Sequence, residues 1–520
     1  MQPFPLQIHD SFTTALPADP LKHNTRRQVH DACYSPAIPR IPSRPTLIHV
    51  SDMQGALGMT SEYVSSQAFL DTFSGARVIE GTQPYAMCYG GHQFGSWAGQ
   101  LGDGRAINLT EVLVDDQRWA LQLKGAGETP YSRSADGLAV LRSSIREHLC
   151  SEAMHYLRVP TTRSLSLILT GDEVYRDIMY DGNGAYEPGA VVCRVAPSFI
   201  RFGNFQIHAS RAELTTLKKL ADYVIEHFYP EVDAGGESPY ADLFRQVCER
   251  TLDMVLDWQR VGFVHGVMNT DNISILGLTI DYGPYGWLEG YEPGWTPNTT
   301  DRQSRRYRYG YQPSIALWNL HQLANALYTL ENKAEPFEES LGWYQRSYPL
   351  RYQAMMLGKV GLSALKENTA LLPSLEKNLQ MVETDMTLFF RELAKVSKQD
   401  SAAEAVQKIS PAMYVSMEAS HSSTWEQWME GYLMRLKQET EDDQARSLAM
   451  NKTNPKYVLR NYMAAQAIEA AEKGDYSLVE ELHNLLRHPY AEQPEQEKWY
   501  AKRPDWARHK VGCSMLSCSS

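Results

Sequence analysis

A chain of 520 residues can bury a large core and suggests two or more domains or one large enzyme. Its 43% hydrophobic and 22% charged residues are ordinary globular values, and a formal charge of −12 argues against a general nucleic-acid binder. No apolar run approaches a membrane span, the N-terminal MQPFPLQIHDSF has no basic or apolar leader pattern, and seven cysteines make no disulfide framework, so the expectation is a cytoplasmic monomer with no membrane or nucleic-acid partner.

Residues 1–80 begin Pro-rich (Pro36, Pro39, Pro42, Pro45) and read as an extended arm followed by a helix near 61–73. From Tyr89 glycines crowd: Gly90, Gly91, Gly95, Gly99, Gly102 and Gly104 fall within fifteen residues. Taken alone they read as turns. The sequel changes this, because a strand over 106–112 is followed by a second over 119–123 that carries Lys124 at its end. Glycine loop, strand, turn, strand, Lys is the order of a protein-kinase N-lobe, in which the lysine meets phosphates. Asp136-Gly137 then precedes a helix over 138–156 with the apolar stripe Leu138, Leu141, Ile145 and Leu149, which Asp136 could cap. Glu147 in this helix reads either as a surface glutamate or as the partner of the strand lysine. Segments 164–170 and 173–180 predict a hairpin turning at Gly171-Asp172. After a strand over 191–194, Arg194 and Arg201 flank a Pro/aromatic bend, and read equally as phosphate-binding forks and as partners of nearby carboxylates. Helical patterns follow over 211–229 and 240–260.

The stretch FVHGVMNTDNISILGLTIDYG, 263–283, predicts two short buried strands around the polar turn Asn269-Thr270-Asp271-Asn272, ending on Asp281-Tyr282-Gly283. Asp271, Asn272 and Asp281 are hard oxygen ligands suited to Mg²⁺ shared with a phosphate. Asn272 stands seven residues after His265, as in a kinase catalytic loop, but Val267 takes the place of the kinase catalytic Asp. The loop to Pro313 is too long for a plain connection and holds Arg302, Arg305, Arg306 and Arg308. The rest reads as helical, with helices near 350–372, 375–395, 424–438 and 455–473. Cys33, Cys88, Cys150, Cys193 and Cys248 read as small buried residues, and Cys513 and Cys518, in the polar tail GCSMLSCSS, as exposed thiols.

YGGHQFG, LGDGRA, LQLKGAG, TPYSR, VLRSSIRE, GAVVCRVAPSFIRFGNFQ, FVHGVMNTDN, TIDYGP and NPKYVLRNYM together resemble the selenoprotein O (YdiU) family from about Tyr85 to the tail. The resemblance implies an α+β, protein-kinase-like bilobal fold: an arm over 1–80, a β-rich N-lobe over 81–205, a helical C-lobe over 206–330 and a helical extension with the tail over 331–520. It implies ATP bound in a flipped orientation and AMP transfer to Ser, Thr or Tyr hydroxyls of proteins. It places nucleotide contacts on Gly102, Gly104, Arg105, Lys124, Asp136, Gly137, Arg194 and Arg201, the lysine's partner on Glu147, the proton acceptor on Asp271, and the metal ligands, for Mg²⁺ or Mn²⁺, on Asn272 and on Asp281, which also belongs to the nucleotide site. Cys518 occupies the place of the family's selenocysteine, but the loop that pairs with the tail in some members has no Cys here. UMP transfer stays open. So do a catalytically silent ATP-binding scaffold, which Val267 favours, and a γ-phosphoryl-transferring kinase.

Overall fold

The computed structural model describes residues 3–178, 182–513 and 515–517. A nine-stranded antiparallel sheet occupies the first part of the chain, its path running β2 (Tyr34–Pro36), β4 (Tyr85–Met87), β7 (Ala106–Val114), β8 (Gln117–Lys124), β11 (Ala185–Ala196), β10 (Arg163–Arg176) and β3 (Thr46–Val50). Strand β1 (Gln7–Ile8) pairs with β7 and β9 (Ala139–Val140) with β11. The N-terminal segment thus supplies strands at both edges of the path. A separate hairpin, β5 (Gly90–Gln93) and β6 (Ser96–Gln100), stands off the sheet, and β12 (Phe263–Val264) pairs with β13 (Gly286–Trp287).

Period-2 alternation sorts the central strands. Leu121, Leu123, Val191, Cys193 and Val195 join Phe69 and Phe73 of α1 (Gln67–Ser74) in one core. Ala120, Val192 and Ala196 face the other way, into the core around Ile145 and Leu149 of α2 (Leu141–Tyr156). The register pairs Arg194 with Gln122 and Val192 with Lys124. Gln122, Lys124 and Arg194 therefore lie on the α2 face of the sheet.

The longer helices that follow are α3 (Phe202–Ser210), α4 (Leu214–Phe228), α5 (Pro239–Val261), α6 (Gln312–Glu331), α7 (Glu335–Val360), α8 (Leu372–Met381), α9 (Met386–Leu393), α10 (Ala402–Ile409), α11 (Ala419–Leu436), α12 (Asp443–Thr453), α13 (Asn461–Ala471) and α14 (Ser477–Leu486). Helices α13 and α14 pack back onto α2, which is buried along nearly its whole length. There His483 of α14, His49 of β3 and His148 of α2 cluster, with His49 Nδ1 2.7 Å from His148 Nε2 and the His49 and His483 rings 4.6 Å apart. Beside them Tyr490 donates its hydroxyl to the Leu157 carbonyl, 333 residues away in sequence, at 2.9 Å. Among the described residues no helix is long and apolar enough to cross a membrane.

Several expected elements are corrected. The helix at 61–73 is two, Ser61–Val64 and Gln67–Ser74, because Ser66 caps the second through Phe69 N. No hairpin turns at Gly171-Asp172. Strand β10 runs through with a bulge, Gly171 adopts φ +78°, and a side chain there would meet Arg44 backbone. The expected end of that hairpin, Tyr180, lies outside the described residues. The expected apolar strand after Asn272 is a turn tied by isolated bridges, Arg201 with Ser274 and Thr161 with Thr279. Helix α7 starts well before residue 350, running through Pro349 and ending at Gly361 in the left-handed region. The helix at 375–395 is interrupted where Asp385 caps α9 through Leu388 N. The Cys513 thiol is buried in the main core, not exposed, since the tail folds back on the body. Cys518 lies outside the described residues.

Candidate active site

Strand alternation delivers two cations, Lys124 and Arg194, to one place, and the segment after β11 brings Arg201 to them. Lys124 Nζ lies 2.5 Å from Glu147 Oε2 of α2. Arg194 Nη1 donates to Asp281 Oδ1 at 2.7 Å and to Glu147 Oε1 at 3.3 Å, while Nη2 donates to Gln122 Oε1. Arg201, leading into α3, donates to Asp281 Oδ2 and to the Asp271 carbonyl at 3.0 Å, and its guanidinium lies over the Tyr89 ring at 4.6 Å. Asp281 itself sits at φ +60°, a left-handed conformation in which Asp is one of the better tolerated residues.

Burial alone would raise the Asp281 pKa, but Arg201, Arg194 and Lys124 outweigh it and hold the carboxyl well below the usual range. Lys124 is pulled below its ordinary value by burial, opposed by Glu147. Both arginines are almost completely buried, yet Arg194 Nε and Arg201 Nη2 have no hydrogen-bond acceptor. Arginines elsewhere, such as Arg146 and Arg446, also carry buried donors without an acceptor, so it is the place of these two beside Lys124 and Asp281 that singles them out; the nearest carboxylate to Arg201 Nη2 apart from Asp281 is Asp103, at 3.9 Å. Arg105, half-buried and close enough to depress Lys124, has no ion pair or hydrogen bond of its own side chain among the described residues.

Asp271 lies in the short 3₁₀ turn Thr270–Asn272. Hairpin β5–β6 seats directly on that turn. His92 N donates to Thr270 Oγ1 at 2.7 Å, Phe94 N to Asn269 Oδ1 at 3.1 Å, and Gln93 Nε2 to Asp271 Oδ2 at 3.4 Å. Gly91 has no room for a side chain, since a Cβ there would lie 2.8 Å from Asp271 Cβ. Burial lifts the Asp271 pKa to about 6, opposed by the Gln93 hydrogen bond and by Arg201. Its Oδ1 is buried without a partner. Asn272 Nδ2 donates to the Val267 carbonyl at 3.0 Å, which leaves Asn272 Oδ1 as the open acceptor. His265 Nε2 lies 2.9 Å from the Ile280 carbonyl, tying the start of the stretch to its end.

The structure thus brings Lys124, Glu147, Arg194, Arg201, Asp281, Asp271 and the adjoining Asn272 together. Asp136 and Gly137 lie beside the end of the Lys124 strand, where Ala126 bridges to Leu138 and the Gly127 N–H donates to the Gly137 carbonyl at 3.1 Å. Asp136 takes both Arg176 Nη atoms at 2.8 Å and does not cap α2, which begins at Leu141 after β9. A helix N-terminus at Asp136–Gly137 is therefore not available to phosphates. Gly102 and Gly104 fit against Tyr131, and the Gly102 N–H donates to the Tyr89 carbonyl at 3.0 Å. Sequence reading missed the hairpin's seat on Asp271, and with it Gln93. The HQ dipeptide framed by glycines was its only mark. Two cavities, of about 660 Å³ beside Tyr462 and Trp499 and about 360 Å³ beside Glu289 and Trp295, lie on other parts of the chain.

Residues 20–487 match the family model described as protein adenylyltransferase SelO. The chain is 58% identical over 519 residues to a protein nucleotidyltransferase YdiU of Flavobacterium johnsoniae, covering 99% of both. It is 52% identical to proteins of the same description from Aromatoleum aromaticum, with 99% of both covered, and from Rhodopirellula baltica, with 99% of this chain and 100% of the other covered.

Proposed function

The chain belongs to the SelO family of protein adenylyltransferases, and from that premise we propose that it transfers AMP from ATP to Ser, Thr or Tyr hydroxyls of proteins, releasing pyrophosphate. The observation that carries the reading is the pair of orphan buried donors, Arg194 Nε and Arg201 Nη2, beside Lys124, set against the orphan buried acceptor Asp271 Oδ1. Donors in this number suit a polyphosphate, and an unpaired carboxylate with a pKa of about 6 suits a proton acceptor working near neutral pH. We place the β- and γ-phosphates on Lys124, Arg194 and Arg201, which leaves the α-phosphorus toward Asp271: the flipped orientation, in a kinase-like two-lobed frame. Arg105 is free to reach the same phosphates.

The acceptor hydroxyl gives its proton to Asp271, and its oxygen attacks the α-phosphorus. The bond from that phosphorus to the bridging oxygen of the β-phosphate breaks, and the charge arriving on pyrophosphate falls among the buried cations. Among the described residues no three His, Cys, Asp or Glu side chains are disposed to hold a metal. The ionised Asp281 and Asn272 Oδ1 nevertheless suit Mg²⁺ or Mn²⁺ whose other ligands are phosphate and water. Such an ion would neutralise phosphate charge there. Asn272, Asp281, Glu147 and Lys124 are thereby given work in a chain whose Val267 lacks the carboxylate a γ-transferring kinase uses. Incubation with ATP labelled at α or at γ tests this. Label from the α position on protein is expected, whereas γ-label would mean a kinase and tight ATP binding with neither label a scaffold.

A further inference from the structure

The loop between Asp301 and Tyr311 takes no part in the chemistry above, yet it carries four arginines within seven residues of a chain whose net charge is −12. Arg302 and Arg305 are exposed, Arg306 and Arg308 half-buried, and none makes an ion pair among the described residues. The one carboxylate in the loop does not serve them. Asp301 accepts from the Ser304 hydroxyl at 2.5 Å and from the backbone N–H groups of Arg306 at 2.9 Å and Tyr307 at 2.7 Å. Two of the guanidinium groups lie over rings instead, Arg306 over Trp318 at 4.6 Å and Arg308 over Tyr311 at 4.3 Å, and Arg308 Nη1 also donates to the Arg305 carbonyl at 2.9 Å. This orients them without neutralising them. Arg306 Nε is buried and has no partner.

The patch is continuous with the reaction site. A side chain at Gly95, in the tip of hairpin β5–β6, would stand 3.4 Å from Arg306 Cζ. The next residue back, Phe94, donates its N–H to Asn269 Oδ1 and to Tyr307 OH at 3.0 Å, one residue from the turn that holds Asp271. Phe94, Trp97 and Tyr311 expose large rings on this hairpin and loop, each 38–39% accessible.

We propose that Arg302, Arg305, Arg306 and Arg308 form the docking surface for an acidic segment that flanks the acceptor hydroxyl of a protein substrate, a reading that rests on protein adenylyl transfer as the reaction. Guanidinium forks without a carboxylate partner can take one two-handed. The exposed rings add contact area, and charge of the opposite sign elsewhere on the chain discourages acidic partners from docking away from the patch.

Fluorescent peptides with one tyrosine flanked by glutamates, lysines or glycines test the surface by anisotropy, titrated against the full chain loaded with ATP. α-Label transfer to the same peptides is read separately. The glutamate peptide should bind tightest. A variant with Arg302→Gln, Arg305→Gln and Arg308→Gln should weaken it about tenfold, since each ion pair at two exposed and one half-buried arginine adds only a small factor. Unchanged ATP affinity in that variant shows the fold is intact. Arg302→Glu with Arg305→Glu should turn the preference toward the lysine peptide. Equal binding of the three peptides would overturn the proposal, as would a glutamate preference that survives the triple variant. Polyadenylate binding that the triple variant loses, with no glutamate preference, would reassign the patch to nucleic acid and also overturn it. Glutamate-selective binding without α-label on any protein or peptide would support the surface while sinking the transfer reading.

Discussion

At Asp271 burial works for chemistry and against stability. The unfolded carboxyl loses its proton near 3.8 and the folded one only at about 6, so the native state binds the extra proton between those values. Stability from this group is therefore present below 3.8 and lost as pH rises through about 6. Asp271→Asn keeps the shape and removes the charge. It should cut transfer by about 10²- to 10⁴-fold, the usual contribution of a general base. At pH 7.5 it should also raise Tm by about 1–3 °C, given the unfolding entropy of a chain this size. A lowered Tm in calorimetry would contradict the cost assigned to that carboxylate. In the wild type the acid limb of kcat/KM should bend near pH 6. Lys124 gives the second expectation at this scale. Lys124→Ala should weaken ATP about 10- to 100-fold, the range for a lost charge-assisted hydrogen bond, and AMP within twofold. Equal losses in calorimetric titration would argue against phosphates pointing inward.

The hairpin β5–β6 shows what a whole element contributes. Its backbone N–H groups are spent on Thr270 and Asn269, so it fixes the turn that aims Asp271. Gly91→Ala should lift the hairpin off that turn and lower kcat about 100-fold, as for a misplacement of about 1 Å, while ATP affinity holds. Unchanged kcat would show that the seat is only packing. Strands β7 and β8, the 191–194 part of β11, and helices α2, α4 and α5 were legible because their periodicity is local. So was Lys124, placed at a strand end by that periodicity, and its pairing with Glu147 was one of two readings that sequence left open. The bulge at Gly171 was not, because a glycine next to an aspartate signals a hairpin turn and a bulge alike. Nor was the start of α2. Asp136 looks like a cap, but Arg176, from a strand forty residues on, claims its carboxylate. The seat of Gly91 against Asp271 spans 180 residues, and the glycine-framed HQ dipeptide does not say which distant segment it meets.

Across the molecule, the cluster of His49, His148 and His483 joins the edge strand β3, the Glu147-bearing helix α2 and helix α14. Burial pushes His49 down to about 4, helped by His483 and opposed by Glu480, Glu152 and Asp52, and burial also lowers His148 and His483. Depressed folded values mean that stability from the cluster is complete above the unfolded value of 6.5 and is lost as pH falls toward about 4. Chemical denaturation at pH 7 and pH 5 should show a fall that shrinks in His49→Gln, and an unchanged pH slope in that variant would remove the cluster from the account.

The same closure sets a schedule for biosynthesis. Helix α2 is covered on one side by strands made early and on the other by α13 and α14, and Leu157 meets Tyr490 across 333 residues. At 5–20 residues per second a ribosome needs roughly 17–67 s to cover that interval. For that time the face of α2 that α13 and α14 will cover has no partner from its own chain, and the helix holding Glu147 waits for its outer wall. Until α13 and α14 have been made, the wall behind Glu147 is incomplete.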